Sequence, residues 1–266
     1  MRIRPPAVAG SFYPADAAAL TRMVDNMLAQ VSLPAGVHAS RIIIAPHAGY
    51  IYSGTTAARA YKALPAGTRK VAILGPVHRV PVHGLALPDC DAFATPLGTI
   101  PLDRPLCDEL IRMPGIGLFD AAHRSEHGLE VHLPFLQRHL GEFSLIPLLV
   151  GDASAAEVGA VIDRLRREQD LAIIISSDLS HYLDYTSARN LDKRTVADII
   201  GRRMLHNHEQ ACGATPINGL LYSLQSSPLD PVLIHLCNSG DTAGDRDRVV
   251  GYTAIAFQEP VHDRHR

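Results

Sequence analysis

Leu171 to Tyr182 reads L-A-I-I-I-S-S-D-L-S-H-Y. The first half is an unbroken apolar run, and the second half is a polar turn carrying Asp178 and His181. A continuous run, where a half-buried strand would alternate, marks a strand covered on both faces, as in parallel or mixed α/β sheets. Runs of the same kind occur at Arg41 to Ala45 (R-I-I-I-A), Lys70 to Leu74 (K-V-A-I-L) and Phe143 to Val150 (F-S-L-I-P-L-L-V). Pro231 to Leu236 and Val249 to Phe257 complete the set. Between the runs lie amphipathic stretches. Leu20, Met23, Val24, Met27, Leu28 and Val31 form one apolar stripe at helical spacing. Thr55 to Leu64, Ala155 to Arg167 and Ala188 to Leu205 also read as helices, and Thr215 with Pro216 reads as a helix start. The expectation is an α/β fold: a single layered domain over residues 1–258, with a central, mostly parallel or mixed sheet and helices on both faces. Residues 259–266, including His262 and His265, form a charged tail expected to fray.

Composition narrows the function. At 266 residues the chain can bury roughly 75% of its unfolded surface without staples. A formal charge of −2 and the lack of a basic cluster argue against nucleic acid and against a membrane surface. Nothing near Met1 has signal-peptide form, and no window suits a membrane helix. Cys90, Cys107, Cys212 and Cys237 are scattered and read as reduced thiols, so a cytoplasmic protein is expected. Fourteen histidines are many for this length and point to metal or acid–base chemistry.

Three strand ends run directly into polar turns. A-P-H-A-G-Y carries His47, L-G-P-V-H-R carries His78, and I-S-S-D-L-S-H-Y carries Asp178 and His181. Sites in open α/β sheets form beyond the carboxyl ends of the strands, so parallel neighbours would aim these side chains into one crevice. Cys212, in Q-A-C-G-A-T-P-I, precedes a helix start. That position suits a reactive or metal-binding thiolate, while a buried small apolar residue is the other reading. S-E-H-G-L-E-V-H-L-P offers His127, Glu130 and His132, either as groups supporting ligands or touching substrate, or as a loop hydrogen-bond network. Its spacing is not that of H-E-x-x-H.

The ordered motifs R-P-P-A-V-A-G-S-F-Y-P, A-P-H-A-G-Y, L-G-P-V-H-R-V-P, E-H-G-L-E-V-H-L-P-F, I-P-L-L-V-G, S-S-D-L-S-H-Y and C-G-A-T-P-I resemble the Memo family from about Arg4 to Phe257. The resemblance implies a fold similar to LigB-type class III extradiol dioxygenases, which hold non-haem iron. It implies metal ligands at His47, His78 and Cys212, with Asp178 and His181 beside the metal. Those dioxygenases have glutamate where this chain has Cys212, which sets it apart from a two-His, one-carboxylate site. The resemblance also implies partnership with AMMECR1-like and radical SAM proteins.

Three functions follow as expectations. The first is redox or dioxygenase-like chemistry on a small-molecule or peptide substrate, with iron foremost and copper or zinc as other fits. There His181 would be the acid–base group, oriented by Asp178. The second is a peptide- or partner-binding module on the same crevice, for which Arg59, Arg79 and Arg124 are the anion-binding candidates. The third is a zinc-dependent hydrolase.

Overall fold

Each continuous apolar run forms a strand, and all but that of residues 231–236, which is half-buried, are covered on both faces. The structure is a computed structural model that describes residues 1–260; His262 and His265 of the expected tail lie outside the described residues. In chain order the first elements are β1 (Ile3–Arg4), α1 (Ala17–Gln30), β2 (Ile42–Ala45), α2 (Tyr50–Lys62) and β3 (Lys70–Pro76). Then come β4 (Leu85–Leu87), β5 (Ala92–Thr95), β6 (Gly98–Pro101), α3 (Arg104–Leu110), β7 (Ile116–Leu118), α4 (Asp120–Arg124) and α5 (Leu133–Leu140). The rest are β8 (Ser144–Val150), α6 (Ala155–Leu165), β9 (Leu171–Ser176), β10 (His181–Leu183), α7 (Tyr185–Ile200), α8 (Ala214–Ser223), β11 (Asp230–Asn238) and β12 (Val249–Gln258).

The main sheet runs β10-β12-β2-β9-β3-β8-β4-β7, with β11 also paired to β12. Its centre, β2-β9-β3-β8, is parallel. Antiparallel pairings of β12 with β2 and of β4 with β8 make the sheet mixed. A small sheet, β1-β5-β6, lies apart.

Successive side chains of a strand point to opposite faces, so each central strand feeds two cores. Ile43, Val71, Ile73, Ala172 and Ile174 join one core with Leu20 and Val24 of α1, Tyr61 of α2 and Phe135 of α5. Ile42, Ile44, Leu74, Ile173 and Ile175 join the other with Leu106 of α3, Ile162 of α6, Val196 of α7 and Leu220 of α8. Each fully buried Ile or Leu contributes about 1.5–3 kcal/mol. The fold is therefore α/β, with helices on both faces. Among the described residues, no helix is long and apolar enough to cross a membrane.

Helix boundaries differ from the sequence reading in α2, which begins at Tyr50 instead of Thr55, and in α7 and α8. α8 begins at Ala214 with Gly213 as its cap, so Thr215 and Pro216 lie inside the first turn. Proline is tolerated there because first-turn N–H groups lack intrahelical partners. α7 begins at Tyr185, where Asp184 Oδ1 accepts from the Thr186 and Ser187 N–H groups at 3.0 Å, and it stops at Ile200 instead of Leu205.

Candidate metal centre

Because β2, β9 and β3 are adjacent and parallel, their carboxyl ends share one edge of the sheet. His47 follows β2, His78 follows β3, and Ser176 and Asp178 stand at the end of β9 between them. The segment carrying His127 closes over this edge at Gly75. A Cβ on Gly75 would lie 2.8 Å from Leu129 Cδ2 and 3.2 Å from Ser176 Cβ, so the close approach requires glycine. One ring nitrogen from each of His47, His78 and His127 lies within 4.8 Å of the others. The ring centroids are 5.1 Å apart for His47 and His78, and 4.4 Å apart for His78 and His127.

The partners behind these rings determine which nitrogens carry hydrogen. Ser176 Oγ donates to the Gly128 carbonyl at 2.5 Å and touches His47 Nδ1 at 2.6 Å and His132 Nε2 at 2.7 Å. A carbonyl only accepts and a hydroxyl has one hydrogen. The arrangement that satisfies all three contacts therefore has both imidazoles donating to Ser176. His47 then carries its hydrogen on Nδ1 and leaves Nε2 bare. His78 Nδ1 lies 2.7 Å from Glu126 Oε1, and an ionised carboxylate only accepts, so Nδ1 donates and the neutral ring presents a bare Nε2. Carboxylate and hydroxyl partners of this kind are what metal-binding histidines use to fix ring orientation.

Glu126, 2% exposed, also accepts from the N–H groups of His78, His127 and Gly128 at 2.7, 2.9 and 3.0 Å. Burial opposes its ionisation, yet hydrogen bonds from His127, His78 and the Gly128 N–H hold its carboxyl well below the usual range. His127 Nδ1 lies 3.2 Å from Glu126 Oε1, an ion-pair contact at an angle poor for a hydrogen bond. Three imidazoles with ring nitrogens this close form a donor set that fits a transition-metal ion. The pKa of His47 is held well below its ordinary value, first by burial and then by His78 and His127, so the ring is neutral and able to ligate.

Cys212 reaches the same edge. Its Sγ lies 3.3 Å from His47 Nε2 and accepts from the Asp178 N–H at 3.3 Å. Since that Nε2 has no hydrogen, the thiol is the donor. Gly213 allows the turn to sit this close: a Cβ there would lie 2.6 Å from Ser177 Cβ and 2.7 Å from the Ser176 carbonyl. The helix start was expected to favour the thiolate, but burial and the Asp178 carboxylate push the thiol up to about 12. A bound cation would reverse that balance.

Asp178 and His181 are placed differently from their expected pairing. Asp178 Oδ1 accepts from the His47 backbone N–H at 2.8 Å, and its carboxyl is raised by burial. His181 Nδ1 donates to the Leu179 carbonyl at 2.9 Å, so that carbonyl orients the ring and leaves Nε2 free as an acceptor. Tyr182 beside it has a φ of 59° and is 62% exposed, an uncommon conformation for an aromatic residue.

His132 sits behind the centre, on Ser176. Glu130 is not a supporting group of the centre. Its carboxylate is taken up by the amino-terminal segment: Arg4 Nη1 at 2.6 Å, Tyr13 Oη at 2.5 Å, and the Ala7 and Val8 N–H groups at 2.7 and 3.0 Å. Nor do the three arginines gather. Arg59 bonds the Ser32 carbonyl from α2, Arg124 lines a separate cavity with Arg2 and Asp120, and Arg79 follows His78 at the surface. Sequence reasoning overlooked Glu126 and Ser176; His208, an exposed residue, has its Nδ1 3.1 Å from the Cys212 carbonyl. A cavity of about 390 Å³ adjoins Cys212, walled by Val77, Pro81, Val82 and Ala153, with Asp152, His208 and Thr215 as polar groups.

The family model for Memo-like proteins matches residues 4–256. A MEMO1 family protein of Aquifex aeolicus is 34% identical over 97% of this chain and 100% of its own length. Another, of Methanothermobacter thermautotrophicus, is 37% identical over 96% of this chain and 100% of its own length. The crystal structure of uncharacterized protein JW3007 from Escherichia coli K12 superposes with a TM-score of 0.49 at 12% identity. That overlap covers 81% of this chain and 98% of that one, and is too distant to carry an argument. The family match, spanning nearly the whole sequence and joined by full-length relatives above 30% identity, establishes that this chain belongs to the Memo family.

Proposed function

We propose that this chain holds one transition-metal ion on His47, His78 and Cys212 and uses it for redox chemistry on a small molecule. The observation that carries the reading is the pair of acceptors behind the rings. Ser176 and Glu126 take the Nδ1 hydrogens of His47 and His78 and leave two Nε2 lone pairs at one strand edge, with Cys212 Sγ 3.3 Å from the first. Imidazole with a thiolate suits iron, copper or zinc. Iron or copper bound there would supply one-electron chemistry, whereas zinc would activate water for hydrolysis.

The chain's own residues supply the rest. The Cys212 thiol hydrogen, directed at His47 Nε2, is the one a cation replaces. His181 Nε2 is free to accept a proton from substrate, and Asp178 fixes the backbone of His47. The apolar walls of the cavity beside Cys212 favour a small molecule with an apolar face, hydrogen-bonded by His208 or Thr215. His127 is the competing third ligand, because one of its ring nitrogens stands in the same cluster.

The test is metal content of protein purified without added metal, measured by elemental mass spectrometry for the native chain, Cys212→Ala and His127→Ala. Near-stoichiometric iron or copper that is lost in Cys212→Ala supports the reading. Loss in His127→Ala alone moves the third ligand to that histidine. A native chain that refuses added iron, copper and zinc ends the metal reading and leaves the crevice as a binding surface.

A further inference from the structure

A line of buried hydrogen bonds runs from α2 through the core to His47. Tyr61, His132 and Ser176 are 0% exposed and His47 is 1% exposed. Tyr61 Oη lies 2.6 Å from His132 Nδ1, His132 Nε2 lies 2.7 Å from Ser176 Oγ, and Ser176 Oγ lies 2.6 Å from His47 Nδ1. No water can substitute for a missing partner at such depth, so the donor and acceptor roles along the line are interdependent.

We propose that Tyr61 is a positioning residue for the metal centre: its hydroxyl, acting through His132 and Ser176, fixes the tautomer of His47. The roles follow from counting hydrogens. Ser176 has one hydrogen, which goes to the Gly128 carbonyl, and two lone pairs, which accept from His47 and His132. That holds only while His132 keeps its hydrogen on Nε2. In the other tautomer His132 Nε2 would need the Ser176 hydrogen, which would leave the Gly128 carbonyl unpaired. Tyr61 prevents this by donating to His132 Nδ1. Burial keeps the tyrosine protonated, its pKa raised well above the ordinary value, and among the described residues its hydroxyl has no hydrogen-bond partner other than His132 Nδ1, so its hydrogen goes there. Burial likewise lowers the pKa of His132 to about 3, so the ring is neutral and has a single hydrogen to place.

Without the Tyr61 hydroxyl, either tautomer of His132 leaves Nδ1 unpaired, and the preference for the Nε2–H form shrinks to what the Gly128 carbonyl supplies through Ser176. Ser176 then serves two acceptors in turn, and His47 loses a fixed hydrogen-bond partner. The metal-binding consequence rests on His47 being a ligand. The tautomer itself does not.

The first measurement uses metal-free, ¹⁵N-labelled protein and long-range ¹H–¹⁵N spectra of the histidine rings. The native chain is expected to show His47 as the Nδ1–H form and His132 as the Nε2–H form. Tyr61→Phe is expected to turn His132 into a mixture and to move the His47 signals. Tyr50→Phe is the control, since it also removes a buried hydroxyl, bonded to the Val131 carbonyl at 2.7 Å, without touching the line. It should leave both rings as they were.

The second measurement is cobalt(II) and zinc(II) affinity by chelator competition, with the cobalt ligand-field spectrum recorded alongside. Tyr61→Phe should weaken binding about 10-fold, the lower end of what partners behind a ligand contribute. In a Ser176→Ala background the same change should have no further effect, because the line is already cut. If Ser176→Ala does not fold, the two tyrosine variants decide. A native His47 protonated on Nε2, or a Tyr61→Phe that behaves like Tyr50→Phe, overturns the proposal. A native chain that binds neither metal would end the metal reading alone, because the ring spectra still decide the role of Tyr61.

Discussion

Glu126 is the residue on which most of the centre's polar groups converge. Its two oxygens take the His78 imidazole and three backbone N–H groups, and they lie beside the His127 ring. Replacing it with glutamine keeps the size and one acceptor but removes the charge, and offers a donor where His78 also donates. Glu126→Gln should therefore weaken zinc or cobalt binding about 10- to 100-fold. Isothermal titration on folded variant protein would check this, and an unchanged constant would remove Glu126 from the centre. The same residue shows where sequence reading stops. His47 and His78 were legible because each follows a continuous apolar strand, and strand ends are where such folds place sites. Glu126 and Ser176 carry no comparable mark: one is an ordinary charged residue before His127, the other an ordinary last residue of a strand. Their roles come from what faces them 48 residues away in the chain, at Glu126–His78 and at Ser176–Gly128.

At the level of elements, the amino-terminal segment is held by a buried ion pair. Arg4 and Glu130 have side chains 6% and 0% exposed, and Arg4 also donates to the His123 and Glu126 carbonyls at 2.7 Å while stacking 4.7 Å from the Phe93 ring. Glu130→Gln leaves the guanidinium buried without its counter-charge, which costs about 3–5 kcal/mol. At about 2–4 °C per kcal/mol for a chain of this size, thermal unfolding should fall by roughly 10 °C. Scanning calorimetry would measure it, and a loss below a degree or two would show that the segment is held by packing alone. The motif E-H-G-L-E-V-H-L-P thus divides between two tasks. Glu126 and His127 face the centre, whereas Glu130 turns back to Arg4, and a short 3-10 turn over Glu130–His132 makes the split. Periodicity did not reveal that turn, because three residues hold too little pattern. The edge strand β7 and its neighbour β4, three residues each, escaped for the same reason, while the continuous buried runs of β2, β3, β8 and β9 were legible.

For the whole molecule, the buried histidines tie the fold to pH. Burial holds His123 to about 4 and His132 to about 3, against an ordinary value near 6.5. Between those values the unfolded chain binds protons that the native chain refuses. Stability is therefore complete above about pH 6.5 and falls as the medium is acidified towards about pH 4, by about 1.4 kcal/mol per pH unit for each histidine. Together with His47, which burial also holds well below its ordinary value, the three give a slope of roughly 4 kcal/mol per pH unit below pH 6, to which His139 and His235, also lowered by burial, add. The buried Asp178 and Asp192 act in the opposite sense, since burial raises their carboxyls and protonation then favours the native state, but only towards the range where carboxylates titrate. The histidine effect should therefore stand alone between about pH 6.5 and 5. Denaturant unfolding of the metal-free protein at half-unit intervals would give the slope directly. A His132→Gln variant, which cannot be protonated there, should lose at most about a third of it. A flat profile from pH 7 to 5 would mean that the unfolded chain gains no advantage in binding protons, and that these rings are not sealed from water as their burial implies.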